Sequence, residues 1–185
     1  MPKKIDTDHL FKTTVQLFAE HGYGACTTQA IASAAGVSEV TIFRRYGNKA
    51  RLIEAALSHC LPLTPFGNLS ASDDARQDLC AILRVYAETF GEYGGAVFTL
   101  LTDAPRHPEL GAAVATLMPN MMKGAGIIAS HQTAGRIGGG DPLQKLVILI
   151  APIMAAGLFG RIPNTPKTVV FEPELLAEIF LRGHR

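Results

Sequence analysis

Residues 27–49, TTQAIASAAGVSEVTIFRRYGNK, contain two short helical patterns joined by a tight turn. Thr27 and Ser38 stand where a helix cap accepts a backbone hydrogen bond, and Gly36 stands where the first helix must end. Small residues before the glycine allow the two helices to cross closely. This order is typical of a helix-turn-helix, so the stretch predicts a DNA-reading head.

The charge distribution supports the same interpretation. The 185-residue chain has a net charge of only +1. Within 38–51, however, four basic residues accompany one acidic residue: Arg44, Arg45, Lys49 and Arg51 against Glu39. A local basic patch on a neutral chain favours contact with particular DNA sites over general coating of nucleic acid.

The rest of the chain also has helical character. Hydrophobic residues make up 48% of the sequence, tryptophan is absent, and apolar residues recur mostly at helical spacing, which predicts an all-α protein. The predicted helices are 6–21, 28–35, 39–45, 49–60, 73–92, a shorter one around 97–101, 108–130 with a kink at Pro119, 143–160 and 172–183. The predicted caps are Asp6 or Thr7, Thr27, Ser38, Asn48 and Ser72, and Gly22 is expected to stop the first helix.

A composition break separates two predicted domains. Residues 61–72 contain two prolines and a glycine. We therefore expect an N-terminal head over 1–60, built on a three-helix helix-turn-helix unit, joined to a larger helical body over 61–185.

The stretch from Leu143 to Gly160 is nearly all apolar. Its uninterrupted part begins at Leu146 and is shorter than the roughly 20 residues that a bilayer requires. A helix that is apolar on all sides in a soluble protein is buried on all sides, so we predict a subunit interface, completed by the last helix. Membrane association is the alternative. The predicted interface residues are Leu146, Ile150, Ile153, Met154, Leu158, Leu175, Ile179 and Phe180.

Patterns for catalysis or metal binding are missing from the sequence. The six histidines lack metal-ligand spacing, and no nucleophile elbow or carboxylate pair occurs. Three widely spaced cysteines, Cys26, Cys60 and Cys80, are interpreted as buried or idle reduced thiols. We expect a cytoplasmic protein that is not an enzyme and holds no metal or cofactor.

The head resembles a known family. FAEHGY at 18–23, followed by TTQAIASAAGVSEVTIFRRYGNKARLI at 27–53, is similar to the DNA-binding head of the TetR family of transcriptional regulators. The close similarity covers about residues 10–56 without gaps, whereas the body resembles the family only in architecture. The resemblance implies phosphate contacts at Thr27 and Lys49 and a recognition helix at 39–45. The candidate DNA contacts are Thr27, Ser38, Glu39, Val40, Thr41, Phe43, Arg44, Arg45 and Lys49.

Three positions depart from the family pattern. Val40 stands where the family often has glycine, so its side chain either touches a thymine methyl group or limits the approach of the helix. Phe43 replaces a usual tyrosine and cannot donate that residue's hydrogen bond to a phosphate. Tyr46 stands where phenylalanine is usual and is expected to be mostly core.

The resemblance also implies a ligand-binding, dimerising body. Few body charges lie near a stripe of aromatic residues and methionines, so an apolar or weakly polar ligand is expected. The candidate lining residues are Phe90, Tyr93, Phe98, Met118, Met121, Met122 and Phe159, for each of which ordinary core packing is the alternative.

Together these expectations describe a ligand-responsive, DNA-binding transcriptional regulator, most specifically a homodimeric repressor released from its operator by a small apolar molecule. The alternative is a helical small-molecule-binding protein that has lost specific DNA binding.

Overall fold

The computed structural model of the protein describes residues 6–162 and 172–184, and within these ranges every regular element is a helix. The helices are α1 (Thr7–Ala25), α2 (Thr28–Ala35), α3 (Glu39–Tyr46), α4 (Lys49–Cys60), α5 (Ala75–Asp103), α6 (Gly111–Ala115), α7 (Met118–Thr133), α8 (Pro142–Phe159) and α9 (Pro173–Gly183). Short 3₁₀ turns occupy Leu61–Leu63, Pro65–Asn68 and Pro108–Leu110. The predicted all-α class is confirmed. Beyond Ile162, the loop predicted over 161–171 lies outside the described residues.

The first four helices begin at predicted capping side chains. Asp6, Thr27, Ser38 and Asn48 each accept a hydrogen bond from the backbone N–H three residues later, at 2.9 to 3.2 Å. Gly36 ends α2 with a left-handed φ of 64°. The turn between α2 and α3 is therefore specified by residues inside it.

The end of α1 differs from the prediction. Gly22 has a φ of 74°, but helical structure resumes beyond it and α1 continues to Ala25. The Tyr23 N–H next to this kink donates to Oδ2 of Asp103 at 2.7 Å. A partner 80 residues away therefore satisfies a backbone group that the kink exposes.

A single helix, α5, replaces the two predicted over 73–92 and 97–101. The two glycines at 94 and 95 each lower helix propensity by about 1 kcal/mol relative to alanine, but tertiary packing overrides this preference. Leu79 and Leu83 near the start of α5 and Leu100 near its end are fully buried. The helix also begins later than predicted, at Ala75. Its capping residue is Asp74 rather than Ser72, because Oδ1 of Asp74 accepts from the backbone N–H of Gln77 at 3.0 Å.

The helix predicted over 108–130 is divided. A 3₁₀ turn at Pro108–Leu110 and the short α6 precede α7, which begins at Met118. Pro119 therefore lies in the first turn of α7 rather than at a kink. The missing N–H of a proline costs nothing in the first turn, because those amides have no helical partner.

The residues group into two compact units. The first comprises the described part of Met1–Leu63 together with Gly95–Met118, and the second comprises Thr64–Gly94 with the described part of Pro119–Arg185. The functional boundary at residue 60 remains a prediction. The first compact unit contains the predicted head and a later segment, in which α6 packs against α4.

The second unit has its own hydrophobic core. Leu146 and Ile150 of α8 are buried with Leu83 of α5 and Ile128 of α7. The helices α7 and α8 approach closely at Gly124, where an added Cβ would lie 2.9 Å from Cδ1 of Leu146.

A buried polar network joins three segments of this unit. Asp78 accepts hydrogen bonds from the backbone N–H and the hydroxyl of Ser72, at 2.6 and 2.8 Å, and lies 2.8 Å from Nε2 of the fully buried His131. Nη1 of Arg136 lies 3.2 Å from Nδ1 of the same ring. Because a guanidinium only donates, Nδ1 is the acceptor and the Nε2–H donates to the carboxylate.

Candidate nucleic-acid interface

The outer face of α3 is open to solvent. Val40 is 76% exposed and Phe43 is 47% exposed, and both Arg44 and Arg45 are exposed. Ile42 is 1% exposed and anchors the opposite face in the core of the head. The helix therefore presents two apolar and two cationic side chains outward.

The polar residues in and around the first turn of α3 bind one another or α2. Oε1 of the half-buried Glu39 accepts from the hydroxyl of Thr28 at 2.6 Å. The hydroxyls of Ser38 and Thr41 lie 2.7 Å apart, so one donates to the other. Three of the predicted DNA contacts are thus already hydrogen-bonded within the head.

The two predicted phosphate contacts differ in availability. Thr27 is exposed and its oxygen accepts from the N–H of Ala30 at 3.1 Å, which leaves the hydroxyl hydrogen able to donate to a phosphate. Lys49 is half-buried. Its ammonium donates to the carbonyl oxygen of Tyr23 and lies 4.0 Å from the centroid of the Tyr23 ring. An ammonium has three donors, so Lys49 keeps hydrogens for a phosphate while its position is fixed.

Tyr23 is the centre of a cluster that sequence reasoning did not identify. The centroid of its ring lies 4.7 Å from that of the His107 ring, and its backbone N–H donates to the carboxylate of Asp103. Burial, together with the charge of Glu109 and a hydrogen bond to it, raises the pKa of Tyr23 to about 12. Tyr23 stands in the FAEHGY stretch, but its partners other than Lys49 lie in a later segment that carries no sequence signal of its own.

Four of the predicted interface residues are covered within the chain itself. Leu146, Ile150, Ile153 and Phe180 are between 0% and 5% exposed. These side chains pack in the core of the second unit, so little of their surface is open to a partner, and their place at a subunit interface stays a prediction. Met154 is half-buried, whereas Leu158, Leu175 and Ile179 are exposed.

A different row of α8 faces outward. We define the α8–α9 face by exposed residues at helical spacing on the two helices: Val147, Ile148, Ala151 and Leu158 on α8, with Leu175 and Ile179 on α9. Its large side chains are 44% to 57% exposed. Within the described residues, α8 is also the one helix that is long and apolar enough to span a membrane, judged by length and composition.

The predicted ligand-lining residues fall in both compact units. Phe98 and Met118 belong to the first compact unit, and the other five to the second. Met118, Met122 and Phe159 are 43% to 59% exposed, whereas Tyr93 is buried and both Phe90 and Met121 are half-buried. Met121 accepts a hydrogen bond from the hydroxyl of Tyr86 at 3.3 Å.

Thr89 is a further candidate in the second unit. Its hydroxyl oxygen is buried and has no hydrogen-bond partner among the described residues. A buried hydroxyl without a partner is unfavourable, so this group is available to a ligand. A threonine inside an apolar helical pattern gave no signal of this in the sequence.

Comparison with known proteins agrees with this geometry. The sequence pattern of bacterial regulatory proteins of the tetR family matches residues 10–56. An uncharacterised HTH-type transcriptional regulator from Mycobacterium bovis is 31% identical over 107 residues, which is 55% of this chain and 49% of that protein. The chain thus matches about half the length of this curated relative.

Solved structures share the fold over nearly the whole chain. The transcriptional regulator FadR from Bacillus subtilis, in complex with stearoyl-CoA, has a TM-score of 0.71 at 17% identity, covering 94% of this chain and 95% of that one. A transcriptional regulator from Saccharomonospora viridis, in complex with choline, has a TM-score of 0.70 at 18% identity, covering 96% and 94%. Residues 10–56 thus match the tetR family of bacterial regulatory proteins by their sequence, and the chain shares its fold with solved transcriptional regulators over nearly its whole length.

Proposed function

We propose that the protein is a homodimeric transcriptional repressor that binds an operator through α2 and α3 and is released by a small apolar molecule. The observation that carries the DNA-binding part is the outer face of α3. It presents Arg44 and Arg45 beside two exposed apolar residues, on a helix that Ile42 anchors from behind. Arginines on an exposed recognition helix suit both phosphates and base edges.

The α8–α9 face supports dimerisation. It consists of exposed apolar side chains on two helices that are in contact, and exposed apolar patches mark interaction sites. A two-fold dimer buries the same patch of both copies against itself. Two heads would then occupy successive major grooves, with centres about 34–36 Å apart or a multiple of that distance.

The second unit supports the ligand part. Tyr93, Phe90 and Met121 supply apolar surface, and Thr89 offers a single buried hydroxyl. Methionine adapts to variable ligand shapes. A ligand that prefers the DNA-free form by about 10⁴-fold would convert a mostly bound population into a mostly released one.

Footprinting and gel shift on the DNA upstream of the protein's own gene test the first part. We expect the protein to protect a near-palindromic site and, at moderate salt, to bind this site more tightly than scrambled DNA. Equal affinity for both DNAs would contradict specific regulation and favour a ligand-binding protein without an operator.

A second experiment tests the ligand class on the protein–operator complex. Stearoyl-CoA serves as the probe with an apolar tail and choline as a small cationic probe. We expect the first to lower operator affinity and the second to leave it unchanged. Release by choline alone would contradict an apolar effector.

A further inference from the structure

We propose that Val40 and Phe43 recognise thymine methyl groups in the major groove, so that the operator half-site is read partly by apolar contact. This inference rests on the proposed DNA binding and deepens it. It assigns a chemical role to the two most exposed apolar side chains of α3.

Most polar side chains at the start of α3 already have hydrogen-bond partners within the head. The N-terminal residues of a recognition helix are the ones that reach base edges. Of these, Glu39 is held by the hydroxyl of Thr28 at 2.6 Å, and the hydroxyls of Ser38 and Thr41 hold each other at 2.7 Å. Each would lose a hydrogen bond by turning to a base.

Val40 is the remaining side chain of that turn. It is 76% exposed, so its two methyl groups project from the helix rather than pack within the head. Phe43 follows one turn later on the neighbouring part of the surface and is 47% exposed. Residues three apart on a helix are neighbours, so the two side chains form one apolar patch.

The charges around this patch identify its partner as DNA. Arg44 and Arg45 are both exposed, and the hydroxyl of Thr27 at the start of α2 is able to donate to a phosphate. An apolar patch bordered by cations suits a surface on which apolar groups lie between rows of anions. The major groove has this character where the C5-methyl group of thymine projects into it between the phosphate backbones.

Contact with a thymine methyl and obstruction of the approach of α3 predict opposite effects of shortening Val40. A valine that blocked approach would hold the bound arginines away from the DNA, and shortening it would tighten binding. A valine that contacts a thymine methyl gains affinity from burying both groups. Removing one such methyl should weaken binding about fourfold for each half-site.

The test uses the full-length protein and the footprinted operator. Each thymine of the half-site is replaced in turn by deoxyuridine, which removes the methyl group and keeps every hydrogen-bonding atom. We expect replacement at one or two positions to weaken binding by wild type about fourfold for each half-site, and Val40→Ala to lose this sensitivity at one of them.

Leu63→Ala is the matched control, because Leu63 is an exposed apolar residue of the same compact unit, 69% exposed and outside α3. It should retain the full response to deoxyuridine. Circular dichroism confirms that the variants fold, and Phe43→Ala assigns the second position if two thymines respond.

The outcomes separate this inference from the proposed function. A protected operator that binds equally with thymine and deoxyuridine, or a Val40→Ala variant that binds all DNA more tightly, overturns methyl recognition and leaves the repressor proposal standing. A protected site that has no thymine in the region covered by α3 also overturns methyl recognition and leaves the repressor proposal standing. Failure to find any specific site overturns the proposed function, and methyl recognition with it.

Discussion

At the scale of single residues, Tyr46 carries a buried hydroxyl that none of the described residues binds. Its ring packs edge-on against Phe11 at a centroid distance of 5.9 Å, but the hydroxyl oxygen has no hydrogen-bond partner among the described residues. A buried polar group without a partner costs about 1–3 kcal/mol. We therefore expect Tyr46→Phe to leave the free energy of unfolding unchanged or to raise it by about 1 kcal/mol, as measured by urea denaturation.

Tyr86→Phe is the control for this change. The hydroxyl of Tyr86 donates to Met121, so its removal should lower stability by about 0.5–1.5 kcal/mol. If Tyr46→Phe destabilised the protein as much as Tyr86→Phe, the hydroxyl of Tyr46 would have a partner.

The ionised carboxylate of Asp78 stabilises the second unit, so part of the unit's stability depends on pH. Burial raises the pKa of Asp78, but hydrogen bonds from Ser72 and His131 outweigh it, and the pKa lies below its usual value. A depressed pKa means that the stabilisation is present above the unfolded pKa, about 3.9, and is lost as pH falls through the folded one.

We therefore expect Asp78→Asn to cost about 1–3 kcal/mol near pH 7, with the difference from wild type shrinking below about pH 4. Chemical denaturation of both proteins between about pH 7 and below pH 4 measures this difference in stability. Asp73→Asn, on an exposed carboxylate that pairs with Arg136, is the matched control and should change stability little. A difference between wild type and Asp78→Asn that did not vary with pH would contradict the role of the carboxylate charge.

The residues of the head were predictable where their partners are close in sequence. Asp6, Thr27, Ser38 and Asn48 each bind a backbone group three residues away, so the caps could be read from local patterns. Asp103 could not be identified in this way, because its partner at Tyr23 comes 80 residues earlier. The engagement of Lys49 by Tyr23 likewise depends on how α1 and α4 pack.

At the scale of elements, α8 has a buried side in the core of the second unit and an exposed side that belongs to the proposed dimer interface. Leu146 belongs to the core of the second unit, whereas Ile179 of the neighbouring α9 lies on the α8–α9 face. We expect Leu146→Ala to lower the free energy of unfolding by about 2–5 kcal/mol. Ile179→Glu should instead leave each folded chain intact and shift the dimer to monomer.

Analytical ultracentrifugation and thermal denaturation separate these effects. A chain that stays dimeric with Ile179→Glu would contradict the proposed interface. Ser130→Glu, on an exposed position of α7 away from that face, is the control for an added charge.

Composition predicted that α8 exists and is apolar, but not which side packs inward. The helix is apolar nearly all round, so its periodicity could not show that Leu146, Ile150 and Ile153 pack in the core of the second unit. The continuity of α5 was missed for a related reason, since glycines that weaken a helix locally are overridden by packing that only the folded chain provides.

At the scale of the whole molecule, the near-neutral net charge means that the proposed DNA binding would depend on a few local cations. If each head of a dimer contacts phosphates with two or three basic side chains, about four to six charges are neutralised, and the slope of log K against log salt should be about −4 to −5. Lys49→Ala should reduce this slope by about two, one for each head, while weakening binding to all sequences alike.

Operator titrations at several salt concentrations measure the slope. Arg182→Ala, which removes an exposed cation on α9 that pairs with Glu178, should leave it unchanged. An unchanged slope for Lys49→Ala would show that Tyr23 holds the whole ammonium and that other cations bind the phosphates.

The α8–α9 face has a consequence for the amount of protein in the cell. If the chain pairs through this face, an unpaired chain leaves these apolar side chains exposed, which favours non-specific association and recognition by the systems that remove unfolded proteins. Since pairing depends on concentration, the share of chains protected in this way rises with expression. The regulator would therefore accumulate above a threshold of synthesis rather than in proportion to it.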